Sequence, residues 1–158
     1  MRTLPIAAAL AALVFVVAPR PVPAAAPAAD GAALFARCAA CHTATGKGVP
    51  GAYPPLGTDF RKLAAKPQGR RYLALVVSKG VMGALTVEGK PYRGVMPALT
   101  ALDAAGVAAV LNHVGTRIAT SGPAFKPFNA AEIEAARASG VSLTAADVAK
   151  LHATVGGG

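Results

Sequence analysis

The stretch CAACH at residues 38–42 constrains this chain more than any other feature. It holds both cysteines of the 158-residue sequence, with a histidine directly after them. Cysteines at this spacing fit four kinds of chemistry: a redox dithiol, part of a zinc site, a structural disulfide, or covalent attachment of a larger group. Each kind predicts different surroundings, so the rest of the sequence decides among them.

Three of these interpretations fit poorly. A redox dithiol is expected beside a βαβ pattern, and no such unit is visible in the sequence. A structural zinc ion needs four ligands, so two more would have to be found among the three histidines His42, His113 and His152. His42 adjoins Cys41 and could join it on one ion only with strain. A disulfide between Cys38 and Cys41 would close a very small loop and contribute little stability.

The fourth interpretation is covalent haem attachment, for which C-x-x-C-H is the sequence sign. Two cysteines three positions apart on a helical turn present both sulfurs to the two vinyl groups on one edge of a porphyrin. The next residue then directs its imidazole at the iron as the proximal ligand. The pattern therefore predicts one haem c, bound covalently through Cys38 and Cys41 and ligated by His42.

The N-terminal segment has the pattern of a secretory signal. A basic start is followed by the apolar run IAAALAALVFVVA (6–18) and by small-residue cleavage sites such as AAA at 24–26. The run is shorter than the roughly 17–25 residues of a membrane-spanning helix, and Gly, Pro or charge interrupts every later apolar run. We therefore predict a cleaved signal peptide over 1–26 and a periplasmic protein without stable membrane insertion, which suits covalent haem because bacteria attach it outside the cytoplasm.

The exported chain is basic. Without Arg2 and Arg20, 14 of the 16 Lys and Arg side chains remain against 7 Asp and Glu, so the formal charge is +7. Such a charge favours fast, salt-sensitive encounter with an acidic partner surface. Nucleic acid is a poor alternative partner, because the chain is exported, has no Trp and carries no nucleic-acid motif.

Apolar periodicity and capping residues predict helices in the first two thirds of the chain. Asp30 is placed to cap a helix that runs into CAACH, and a second helix over 69–80 is stopped by Gly80. A further helix is predicted over 100–119, where Thr100 and Asp103 resemble a capping box.

The intervening segments are predicted to be loops, apart from one turn. Residues 43–59 hold four glycines and three prolines, and a loop this long in a small domain usually serves a site. Residues 83–97 predict a turn or short hairpin about Glu88-Gly89. We assign 27–120 to one domain and 121–158 to a C-terminal helical extension, with short amphipathic helices over 129–137 and 144–152.

Residues 30–118 resemble the class I bacterial cytochromes c. The resemblance rests on CAACH, on YPPL (53–56) after the Gly-rich loop, and on GVMP (94–97) before the helix LDAAGVAAVLNHV. It implies an all-α cytochrome c fold, with about four to five helices around one covalent haem. It also implies that the first and last helices of the domain cross, which would pair Gly31 and Phe35 with the Val110–Val114 region.

The same resemblance implies two further residues of the site. The methionine of the MP dipeptide, Met96, would be the sixth iron ligand, and Pro55 would offer its carbonyl to the Nδ1–H of His42. Met82 is the rival for Met96, but it follows a predicted helix end. Met96 is preceded by Gly94 and followed by Pro97, in a loop able to present a thioether.

Other residues have two interpretations each. Tyr53, Tyr92 and Arg93 either hydrogen-bond the haem propionates or the Met sulfur, or are turn residues with exposed side chains. Three lysines either form a docking face around the haem edge or belong to a solvated surface: Lys47, Lys79 and Lys90. Of the remaining histidines, His113 is expected in helix packing or at the surface, and His152 in solvent.

The resemblance implies a one-electron carrier with His/Met ligation of the haem iron, and not an enzyme. Such a carrier passes electrons from a dehydrogenase or respiratory donor to a terminal acceptor. Its partner would be an acidic redox protein: a periplasmic dehydrogenase, oxidase or reductase. The finer pattern is most similar to small cytochrome subunits or domains of periplasmic dehydrogenases and copper nitrite reductases, which often have Tyr where this chain has His113. Two alternatives remain: a dedicated subunit of one dehydrogenase, and a haem protein with an open sixth site for peroxide or gas ligands.

Overall fold

The computed structural model describes residues 29–158, so the predicted signal peptide lies outside the described residues. The elements follow one another in this order: α1 (Gly31–His42), α2 (Thr58–Ala64), α3 (Pro67–Lys79), β1 (Val81–Val87), β2 (Lys90–Met96), α4 (Ala104–His113), α5 (Ala130–Ser139) and α6 (Ala145–Thr154). A π-helical turn over Val114–Ile118 continues α4. Within the described part of the chain, no helix is both long and apolar enough to cross a membrane.

Helices α1 and α4 cross at a glycine, as the family resemblance implies. Asp30 caps α1 by accepting from the backbone N–H of Ala32 at 2.9 Å, which confirms the predicted helix start. A Cβ on Gly31 would lie only 2.2 Å from the carbonyl oxygen of Ala109, so only glycine lets the two backbones approach this closely. The rings of Phe35 and His113 pack 5.1 Å apart beside the crossing.

The predicted capping box at the start of α4 is wrong. The helix begins at Ala104, and Asp103 is itself the cap, accepting from the N–H of Gly106 at 2.7 Å. Thr100 lies in the turn before the helix, and the Asp103 carboxylate is already used in capping the helix that follows it.

The described residues contain a short sheet that an all-α fold lacks, whereas helices α1–α4 of the predicted domain agree with the expected four to five. Strands β1 and β2 form an antiparallel hairpin, which confirms the turn at Glu88-Gly89. Both turn residues have positive φ, 51° and 73°, as a two-residue type I′ turn requires. Helix α2 is missing from the sequence prediction because its seven residues begin inside the Gly- and Pro-rich segment 43–59, whose last two residues are therefore helical and not loop. The fold is therefore helical, with six α-helices and one hairpin in residues 29–158.

The two helices of the tail are confirmed. Asn129 caps α5, and Thr144 caps α6 through a capping box with Asp147. Ile133 and Val148 from these helices are fully buried in the same hydrophobic core as the helices of the preceding segment. The tail thus packs against the body of the molecule instead of extending from it.

Candidate functional site

The last turn of α1 presents the CAACH side chains to one cavity. Cys38 and Cys41 are half-buried free thiols on the same helical face, and His42 is the buried last residue of the helix. The helix stops there because Thr43 takes a φ of 65°, outside the helical region. All three side chains line the cavity.

His42 is oriented by a backbone carbonyl of the following loop. Its Nδ1 lies 2.8 Å from the carbonyl oxygen of Pro54, to which it donates. The prediction of Pro55 as acceptor is therefore wrong by one residue. A bridge between Val49 and Tyr53 closes the loop just before Pro54, which sets that carbonyl towards the imidazole, whereas Pro55 contributes only to the cavity lining.

The loop needs glycine to approach α1 this closely. Gly48 has a φ of 65° and its N–H donates to the carbonyl of His42 at 2.9 Å. A Cβ there would lie 2.3 Å from the carbonyl oxygen of Tyr53. The glycine-rich composition of the loop is thus a steric requirement of the bond between His42 and Pro54.

Burial keeps two of the candidate groups uncharged. It lowers the pKa of His42, although the hydrogen bond to Pro54 acts in the opposite direction. A neutral imidazole that donates from Nδ1 keeps its Nε2 lone pair for a metal. Burial also raises the pKa of Cys38, with Cys41 adding to the effect and a backbone hydrogen bond opposing it. The Cys38 thiol therefore lacks the lowered pKa of a reactive redox cysteine.

The hairpin separates the two candidate methionines. Met96 pairs with Val81, is partly buried, and lines the cavity. Met82 pairs with Val95, is 50% exposed, and is not among the cavity-lining residues. Met96 shares its side of β2 with Tyr92 and Gly94, which also line the cavity, whereas Met82 points to the other side of the hairpin.

The same alternation separates the candidates for polar contacts. Tyr92 is buried and lines the cavity, whereas its neighbour Arg93 is exposed and lies outside the lining. Tyr53 lines the cavity at its surface and is 41% exposed. The structure therefore brings two of the three predicted residues to the cavity.

Sequence reasoning missed the exposed Arg37 of the cavity lining and three buried polar side chains of the cavity wall: Asp59, Tyr72 and His152. The prediction of a solvent-exposed His152 is wrong, because the residue is 4% exposed and its Nε2 lies 2.8 Å from Oδ2 of Asp59. Burial, and secondarily the charge of Asp59, raise the pKa of Tyr72. A capping box in the sequence indicates α6, but no local pattern shows that His152 of this helix contacts Asp59 of α2, which lies 93 positions earlier in the chain.

The donor set and the cavity fit a covalently attached haem. The cavity is bounded by α1 and the loop that follows it, by α2, α3, α4 and α6, and by the hairpin. Two thiols, a neutral imidazole and a thioether converge on it, and most of its other lining residues are apolar. Among residues 29–158, no group of three or more His, Cys, Asp and Glu residues forms an alternative metal site.

Comparison with known proteins points the same way. The sequence model of the family described as Cytochrome c matches residues 28–117. The chain is 45% identical over 112 residues to cytochrome c-552 of Thermus thermophilus, covering 70% of this chain and 86% of that protein. It is also 45% identical over 112 residues to a second cytochrome c-552 from a strain of the same species, covering 70% of this chain and 76% of that protein.

Proposed function

Because the chain belongs to the cytochrome c family and binds haem c covalently, we propose that it is a periplasmic one-electron carrier with His42 and Met96 as axial ligands. The bound haem would supply an iron able to alternate between Fe(III) and Fe(II). The protein's own residues attach it, orient it, limit its contact with water and fill its coordination sites.

Each residue of the site has a separate task in this proposal. Cys38 and Cys41 would form the thioether bonds and so hold the haem against α1. His42 would ligate the iron through Nε2, held in the correct tautomer and orientation by its bond to Pro54. Met96 would ligate through its sulfur, held in place by the pairing of β2 with β1.

The observation that carries the proposal is the placement of Met96 and His42 in one cavity. If both axial positions are filled by protein ligands, no position remains open for a substrate or gas, and one-electron transfer is the function left. A thioether ligand also favours a higher potential than harder donors. This supports a carrier over the alternative of an open sixth site.

The partner is proposed to be an acidic redox protein, because the chain without its predicted signal peptide has a formal charge of +7. Lys47 and Lys90 are exposed and available to such a partner. Lys79 is held by the tail, donating to the carbonyls of Val141 and Leu143. Periplasmic location rests on the signal pattern over 1–26.

Carbon monoxide binding tests the proposal. The reduced holoprotein at neutral pH is expected to leave its absorption spectrum unchanged when CO is added, because Met96 occupies the sixth position. The Met96→Ala variant is expected to bind CO readily, and Met82→Ala is the matched control that stays closed. Ready CO binding by the unaltered protein would contradict the carrier proposal and favour the open-site alternative.

A further inference from the structure

A buried ionisable pair lies on the cavity wall, outside the proposed ligand set. Nε2 of His152 in α6 and Oδ2 of Asp59 in α2 are 2.8 Å apart, and their side chains are 5% and 6% exposed. Both residues line the same cavity as His42 and Met96. The proposed electron-carrier site assigns them no task.

The tail encloses the pair. The N–H of Gly158 donates to Oδ1 of Asp59 at 2.8 Å, so both carboxylate oxygens have partners. Gly157 lies against the His152 imidazole, too close for a Cβ, and the Tyr72 ring packs beside the same imidazole with 5.4 Å between the ring centroids. Water therefore screens charges weakly here, and a charge in the cavity acts on the imidazole through a medium of low effective dielectric constant.

The elements packed against α6 leave Asp59 as the charged group that faces His152. Tyr72 from α3 stays a neutral phenol because burial, and then Asp59, raise its pKa. Strand β1 (Val81–Val87) has no titratable side chain. The Lys66 ammonium reaches the tail at Gly156. The other charged side chains of α2, α3 and α6 include several that are bonded elsewhere: Arg61 to the carbonyls of Gly115, Ala119 and Pro123, Arg70 to Glu132, Arg71 to Ser139, Lys79 to the carbonyls of Val141 and Leu143, and Lys150 to Asp147. Lys62 of α2 and the cavity-lining Arg37 of α1 are exposed to solvent.

We propose that His152 is a redox-linked proton site, which takes up one proton from solvent when the haem accepts one electron. The oxidised protein, one electron from the donor and one solvent proton give the reduced protein with an imidazolium at His152. Oxidation returns both. With Asp59 as a carboxylate accepting from Nε2–H, the added proton resides on Nδ1. This inference rests on the proposed function, because it requires a haem that cycles in this cavity.

The physical reason is the charge of the cavity. Reduction lowers the charge of the bound group by one, which favours a positive charge on the enclosing wall, and Asp59 stabilises that charge as an ion pair. Binding of proton and electron then assist each other reciprocally. Over the pH range in which only the reduced form is protonated, each pH unit changes the reduction equilibrium up to tenfold, which is about 59 mV for one electron.

The first measurement is the midpoint potential of the full-length holoprotein between about pH 5 and pH 9, a range that brackets the ordinary histidine pKa. The second is the number of protons taken up when the protein is reduced electrochemically in weak buffer. We expect the midpoint potential to fall as pH rises, and we expect up to one proton per protein molecule to be taken up on reduction. In His152→Gln, the midpoint potential should no longer change with pH, and the proton uptake on reduction should be lost. His113→Gln, which removes a histidine outside the cavity lining, is the matched control and should retain both effects.

Asp59→Asn keeps the test decisive where His152→Gln does not yield folded holoprotein. A neutral partner no longer favours the imidazolium, so the pH dependence should move to lower pH. Any of three results would overturn the proposal. The midpoint potential of the unaltered protein could be independent of pH, His152→Gln could keep the full pH dependence, or the pH range of that dependence could be unchanged in Asp59→Asn. The CO experiment reports on Met96 alone, so failure of the carrier proposal is distinguishable from failure of this one.

Discussion

At the scale of single residues, the site depends on one carbonyl oxygen. The 2.8 Å contact between Nδ1 of His42 and the oxygen of Pro54 decides which ring nitrogen would be free for the iron in the proposed site. Sequence patterning finds the YPPL segment that supplies this oxygen, but two adjacent prolines are equivalent in a one-dimensional pattern. Only the bridge between Val49 and Tyr53 selects Pro54.

The two thiols give the first prediction at this scale. The double variant Cys38→Ala, Cys41→Ala removes both cysteines of the chain. It is expected to lose covalent haem entirely, because no other side chain can form a thioether bond. Mass measurement of the denatured protein checks this, with Met82→Ala as the control that keeps the haem mass. Haem that stays attached to the double variant would contradict the assignment.

At the scale of elements, the hairpin carries Met96 and is anchored at its tip. The Glu88 carboxylate accepts from the hydroxyl of Thr58 at 2.9 Å and from the N–H of Asp59 at 3.2 Å. The turn of the hairpin therefore caps α2, while β1 packs against α6. The element that presents Met96 is thus held by two helices distant in sequence.

The anchor predicts a stability effect. Glu88→Ala removes the acceptor for two donors at the start of α2 and is expected to cost about 1 kcal/mol of unfolding free energy, as loss of a helix cap does. Glu88→Gln keeps an accepting oxygen and should cost less. Urea unfolding measures both, with Lys90→Ala in the same hairpin as an exposed control. Equal stability of Glu88→Ala and the control would show that the anchor contributes nothing.

Elements differ in how well sequence predicts them. The hairpin follows from Glu88-Gly89, and α5 and α6 follow from their capping residues, because these signals are local. Strand alternation, once the hairpin is known, separates Met96 from Met82. The contact between His152 and Asp59 has no local signal, since it depends on how the tail packs on α2. The expectation of an exposed His152 fails for that reason.

At the scale of the whole molecule, the tail is fastened by an arginine. The Arg70 guanidinium reaches both oxygens of the Glu132 carboxylate, with Nη2 and Oε2 at 2.7 Å, and Arg70 also donates to the carbonyl of Lys126 at 2.7 Å. Its guanidinium lies 3.8 Å from the centroid of the Phe128 ring. These contacts hold the segment that leads into α5 and so position the tail, whose His152 lines the cavity.

This fastening predicts an acid-sensitive contribution to stability. The hydrogen bond from Arg70 is the main reason that the pKa of Glu132 is lowered in the folded protein. The contribution is therefore present above the ordinary Glu pKa of about 4.3 and is lost as pH falls through the lower folded value. Because Glu132 is partly exposed, we expect about 0.2–1 kcal/mol.

Unfolding in urea between about pH 2 and pH 7, on both sides of the ordinary Glu pKa, measures this contribution. Glu132→Gln should be less stable than the unaltered protein near neutral pH, and the difference should shrink in acid. Glu134→Gln on the same helix is the exposed control. A stability difference that stays constant across this pH range would contradict the role of the ion pair.

The central claim, a closed haem site with His42 and Met96 as axial ligands, is tested most directly by the long-wavelength absorption band of methionine bound to ferric haem. The unaltered oxidised protein and Met82→Ala are expected to show this band, and Met96→Ala is expected to lose it. Absence of the band from the unaltered protein, or its loss in Met82→Ala instead of Met96→Ala, would contradict the account.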